Sequence, residues 1–108
     1  MLEKSFGLLF FLKQPQNYKS GPMYIYMRIK VDGIIRELST KRLWEPSRWN
    51  AKAAKATGNK EDVKTLNTYL ETLRTKVYDA KRILLDTNKV VTAEAIKNFF
   101  SVKMKAKE

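Results

Sequence analysis

The chain has no cysteine and no histidine. Without cysteine there are no disulfides and no thiolate metal sites, a pattern that suits a reducing compartment. Without histidine the commonest general base and the commonest metal ligand are both missing, so most hydrolytic and metal-centred mechanisms lose their usual players. A long apolar run is also lacking. The longest, residues 6–12, is broken by Gly7 and is far too short to cross a bilayer. Its place near the N-terminus imitates a signal peptide, but Glu3 and the lack of a small-residue cleavage site after Leu12 argue against one. A cytoplasmic protein with no membrane partner is expected. Phosphate-cradling and nucleophile motifs (GxGxxG, Walker, G-x-S-x-G, HExxH) do not occur, and the acids are scattered. Catalysis by this chain is therefore not expected, nor is a cofactor or a small-molecule substrate.

Acid is scarce as well: 11 Asp and Glu face 22 Lys and Arg, for a net charge of +11. Both halves of the chain share the excess. On so small a protein it favours phosphate-rich polymers or anionic surfaces as partners and says little about fold. With 108 residues, 44% hydrophobic and 31% charged, the chain can bury a small core in one domain.

The most informative stretch is 22–42. Met23, Ile25, Met27, Ile29 and Val31 alternate with Tyr24, Tyr26, Arg28 and Lys30, the period of a half-buried strand with one oily face and one aromatic, cationic face. Asp32 and Gly33 suit a two-residue type I′ turn, which needs positive φ at both positions. The returning strand then pairs Val31 with Ile34, Ile29 with Arg36, Met27 with Leu38 and Tyr26 with Ser39. That register turns Leu38 and Arg36 inward and Ile35, Glu37, Ser39 and Lys41 outward; a three-residue bulged turn would reverse the parity. Residues 5–13, SFGLLFFLK, read as a first strand apolar on both faces, with a short buried helix as the alternative. Next comes a polar loop carrying Tyr18 and Lys19.

Trp44 and Trp49 read as core plugs, joined by a turn that begins at Pro46 and Ser47, and residues 51–58 as a patternless basic connector. A long helix starts after Asn59, its expected N-cap, with Glu61 and Asp62 in the first turn. Its stripe is Val63, Leu66, Leu70, Leu73, Val77, Ala80 and Leu84, widened by Tyr69 and Ile83. Part of it should pack on the oily face of the hairpin, leaving the far end for another subunit or a following domain. Asn88 and Lys89 end this helix. Thr92 caps a second one, with Val91 and Ile96 at the two staple positions, Glu94 in the first turn, and Phe99 and Phe100 beyond. The helix runs on into a charged tail at 101–108.

The outward face of the hairpin is the strongest functional feature. Its competing explanation is a merely solvated sheet face. Arginine can bond guanine bidentately, lysine reaches guanine or phosphate, and serine or tyrosine reaches phosphates or bases, while a two- or three-stranded ribbon fits the major groove of DNA. Stacking of single-stranded DNA or RNA on the tyrosines is a further alternative. So is a helix-mediated interaction or dimerisation module.

Taken in order, SFGLLFFLK, GPMYIYMRIKVDG, RELST, Trp49 with Asn50, LNTYLETLRTKVYDAKRIL and VTAEAIKNFF resemble the N-terminal arm-type DNA-binding domain of tyrosine recombinases, in particular phage and conjugative-transposon integrases of Bacteroides-type bacteria. The resemblance implies an α+β fold, a three-stranded antiparallel sheet packed against a long C-terminal helix, plus a short final helix. It further implies that the sheet enters the major groove of arm-type sites in double-stranded DNA, alongside other integrase subunits. Residues 1–89 would form the arm domain and 90–108 a linker and the start of a helical core-binding domain. Tyr24, Tyr26, Arg28, Lys30, Ser39 and Lys41 are expected to face the groove, with Lys13 and Lys19 reaching phosphates at its edge. Ile35 and Arg36 depart from the family pattern, which is usually basic at the first position and apolar at the second.

Overall fold

The alternation along 23–31 can be satisfied only if one surface of a sheet is covered and the other is wet, and the computed structural model, which describes residues 5–106 and side chains as far as residue 100, is built that way. Strands β1 (Phe6–Lys13), β2 (Met23–Val31) and β3 (Ile34–Trp44) form an antiparallel sheet in the order β1-β2-β3, so β2 is central. Phe6–Lys13 are thus strand and not helix. Asp32 and Gly33 take φ of 55° and 86°, the backbone of a type I′ turn. All four expected pairs, from Val31 with Ile34 to Tyr26 with Ser39, are present.

The expected ladder fails beyond Ser39. One residue of β2, Ile25, faces three of β3, because Tyr26 pairs with Ser39 but Tyr24 pairs with Leu43. Thr40 is buried at the bulge and its hydroxyl donates to the Ile25 carbonyl at 2.7 Å. Lys41 comes next with φ of 65°, its amide bonded to the Ser39 hydroxyl oxygen at 3.0 Å. A bulge of this kind twists the strand and re-aims the side chains beyond it.

Helix α1 (Glu61–Asp86), about 39 Å long at 1.5 Å per residue, runs across the inner face. Arg42 of β3 stacks on Tyr69, Arg74 lies 5.6 Å from the Phe10 ring of β1, and Phe6 meets Tyr78 at 5.4 Å. The helix therefore passes from the β3 side to the start of β1. Val63, Leu66, Leu70, Leu73, Val77 and Ala80 are buried against Phe10, Ile25, Met27, Ile29 and Val31. Leu84 and Tyr69 are half-buried, and Ile83, expected to widen the stripe, is exposed.

The N-terminal boundary corrects one expectation. Lys60, not Asn59, holds the N-cap position, and it makes no side-chain cap. The first turn is instead tied sideways: Arg48 bonds Asp62 at 2.8 Å and lies over the Trp44 ring, whose Nε1 donates to the Arg48 carbonyl at 2.7 Å. The expected turn at Pro46 is a single helical turn, Pro46–Arg48. The stretch beyond it, expected to be patternless, contains a second small hairpin, β4 (Trp49–Asn50) with β5 (Lys55–Ala56). Asn67 of α1 clamps it, accepting from the Ala56 amide at 3.0 Å and donating to the Ala56 carbonyl at 3.2 Å.

At its C-terminus α1 closes as a Schellman motif. Asn88 is left-handed at φ of 60°, the Lys89 amide donates to the Leu84 carbonyl and the Asn88 amide to that of Leu85. Helix α2 (Ala93–Ala106) then starts with Thr92 accepting from the Ala95 amide at 3.0 Å, and Val91 and Ile96 are both buried, as a capping motif with a staple requires. Ala93, Ile96 and Phe100 join the same core as β2, and Arg36, on the inner side of β3, pairs with Glu94 at 2.6 Å. Residues on either side of 89/90 thus contribute to one core. The side chains of the charged tail at 101–108 lie outside the described residues.

If α2 is part of the cooperative unit, Ile96→Ala should cost about 2 to 5 kcal/mol in urea unfolding, the range for removing a buried aliphatic side chain. A loss within 0 to roughly 0.5 kcal/mol, the scale of surface changes, would show that α2 docks without contributing.

Candidate nucleic-acid interface

The outer face of the sheet is a grid set by the register. Along β2 it carries Tyr24, Tyr26, Arg28 and Lys30, about 6.6 Å apart. Beside them on β1 stand Lys13, Phe11, Leu9 and Gly7, and on β3 Leu43, Ser39, Glu37 and Ile35. Five of the expected contact residues from the two hairpin strands, Tyr24, Tyr26, Arg28, Lys30 and Ser39, are thus brought together on one surface. Lys13 joins the same face from β1. Lys41 does not fill its expected ladder position; it is exposed in the bulge, and Leu43, 50% exposed, lies beside Tyr24 in its place. Lys19 stands apart on the loop between β1 and β2, exposed, next to Tyr18, whose hydroxyl donates to the Gly21 carbonyl at 2.6 Å.

At the centre of the grid is a carboxylate. Glu37 accepts from Lys13 Nζ through Oε1 at 2.9 Å, and from Arg28 Nε and Nη2 through Oε2 at 3.2 and 3.0 Å. Aromatic rings floor both cations: Arg28 lies 4.6 Å from the Phe11 centroid and Lys13 4.7 Å from that of Tyr26. Phe11 and Tyr26 in turn pack at 6.1 Å. Lys13 first, then Arg28, holds the Glu37 carboxyl below the usual carboxylate range, although partial burial opposes them, and the same bond raises the Lys13 ammonium. Lys30, Lys41 and Lys19 make no ion pair among the described residues. No group of acids that could hold a metal ion occurs among the described residues.

A profile described as the arm DNA-binding domain matches residues 10–97, most of the chain. The chain belongs to the arm DNA-binding domain family. No curated protein and no solved structure matches it. An arm DNA-binding domain is a non-catalytic DNA-binding module, and the partner of this one is DNA. In this arm domain no helix among the described residues is long and apolar enough to cross a membrane.

Sequence reasoning put Glu37 on the outer face of the arm domain but assigned it no role there. The missing signal is the pairing of β1 with β2, which no local pattern specifies and which brings Lys13 to the carboxylate from the far strand. Phe11, Leu9, Leu43 and Ile35 were likewise not among the expected contacts. They make the face more apolar than its cations alone suggest, with Ile35 44% and Leu9 39% exposed.

Because the folded value of Glu37 is depressed, its contribution to stability is present above the ordinary glutamate value of 4.5 and is lost as pH falls through the lower folded value. An NMR titration of the side-chain carboxyl should give a midpoint below 4.5. Lys13→Ala should raise that midpoint more than Arg28→Ala does. A midpoint at or above the ordinary value would contradict the bridge.

Proposed function

We propose that this arm domain binds double-stranded DNA sequence-specifically at arm-type sites, as the N-terminal domain of a tyrosine-type integrase acting in DNA integration and recombination. The observation that carries the reading is the outer sheet face, where tyrosines and cations stand in register on a surface no other part of the described chain covers. A three-stranded ribbon of this width suits the major groove. Arg28, Tyr24, Tyr26 and Ser39 are the base-edge and sugar-phosphate candidates, Lys30 and Lys41 flank them, and Lys19 reaches phosphates from the loop. Lys13 is committed to Glu37 and is not counted among the free cations. In such a protein, from a phage or other mobile element in the bacterial cytoplasm, residues 90–108 lead toward the core-binding domain, and other integrase subunits share the DNA.

The dimerisation alternative draws on the stripe of α1, but the residues of that stripe from Val63 to Ala80 are buried in the domain's own core, which leaves little for a second copy. Single-strand binding is separated from the groove reading by comparing single strands with duplexes.

Against a duplex site selected from a random library, Arg28→Ala should cost about 1 to 3 kcal/mol and relax preference at one base pair. Lys19→Ala should weaken all duplexes alike and flatten the salt slope by about one unit. Equal losses for Arg28→Ala on selected and random duplexes would remove its base-reading role, and tighter binding to single strands than to any duplex would overturn the groove reading.

A further inference from the structure

The carboxylate at the middle of a polyanion-binding surface calls for an explanation, since it cancels charge where charge attracts DNA. It is not a stray surface acid. Both oxygens are used, three N–H groups from two other strands converge on it, and the two cations it holds rest on Phe11 and Tyr26.

The chemistry of the remaining guanidinium edge matters most. Arg28 spends Nε and Nη2 on Oε2, which is the side edge of the fork. The end edge has no partner among the described residues: one N–H of Nη2 and one of Nη1, parallel and in the plane. Two parallel donors fit the O6 and N7 acceptors of guanine. They fit a phosphate as well, but a carboxylate on the adjoining edge of the guanidinium repels a charged phosphate much more than a neutral base edge. Lys13, tied to the same group, is drawn away from the backbone.

We propose that Glu37 is a specificity-determining residue, a buttress that fixes Arg28 for bidentate recognition of guanine and suppresses backbone attraction by Arg28 and Lys13. This deepens the reading of the sheet as a double-stranded DNA reader and rests on it. The domain then gives up non-specific affinity for discrimination. Its free cations, Lys30, Lys41 and Lys19, supply the salt-dependent term, while the centre of the face supplies sequence preference.

The test uses the whole chain with Glu37→Gln, which keeps the shape and removes the charge. Sites are first selected from a random duplex library with the wild-type protein, and binding is then measured over a salt series on selected and random duplexes. Glu37→Gln should bind random duplex several-fold more tightly at low salt, with a slope steeper by about one to two units as Lys13 and Arg28 are released to phosphates. Replacing the contacted guanine of the selected site by 7-deazaguanine, which lacks the N7 acceptor, should cost the wild type about tenfold and Glu37→Gln much less. A second pair of variants does not depend on that substitution: Lys13→Gln should leave the random-duplex slope nearly unchanged, whereas Lys30→Gln should lower it by about one unit. The buttress is refuted if Glu37→Gln keeps the wild-type slope and deazaguanine penalty, or if Lys13→Gln flattens the slope as much as Lys30→Gln. Absence of salt-dependent duplex binding by the wild type would instead remove the DNA reading itself.

Discussion

One strand has to hold grease on one side and charge on the other, and the rest of the domain depends on that division. The side-chain period of β2 is two, so a slip of one residue would bury Arg28 and Lys30 and turn Ile25, Met27, Ile29 and Val31 to water. Taking two unpaired cations into the interior costs several kcal/mol each. The type I′ turn at Asp32 and Gly33 carries this parity into β3, and pairing with β1 carries it across the sheet. Both helices then have only one apolar surface to pack on, and α1 and α2 cover it together.

The same division accounts for the length of α1. A helix of 26 residues is longer than one small sheet, yet it stays buried from Val63 to Ala80 because it crosses the sheet from β3 to the start of β1. Its N-terminal end is supported by the small β4-β5 hairpin and by the Arg48 bridge to Asp62 in place of a capping side chain. Its C-terminal end turns through Asn88 so that α2 returns onto β2 and β3, where Arg36, a charge on the inner side, finds Glu94 at the rim. No buried side-chain nitrogen or oxygen among the described residues is left without a partner.

The outer face obeys a different economy. The +11 charge of the chain supplies attraction to a polyanion that needs no geometry. Geometry is concentrated at the centre of the sheet, where aromatic rings and one carboxylate hold two cations in place. Charge spread over the whole chain and cations fixed by neighbours thus meet on one surface.

The hairpin register, both helices, the Thr92 cap and the oily-in, cationic-out sense of β2 were legible in the chain because each rests on contacts within a few residues or on a period. The bulge at 40–42, which substitutes Leu43 for Lys41 on the face, and the hairpin clamped by Asn67 were not, because each is stabilised by a partner distant in sequence: the Ile25 carbonyl for Thr40, and Asn67 for Ala56. The sequence by itself determined two-sidedness, since alternation and a two-residue turn leave no other way to bury the methionines and isoleucines. Only the tertiary structure decided which charges on the wet side are spoken for, since the approach of Lys13 to Glu37 requires β1 to lie beside β2 in one register, and hydrogen bonds across strands depend on position to within a fraction of an ångström, not on composition.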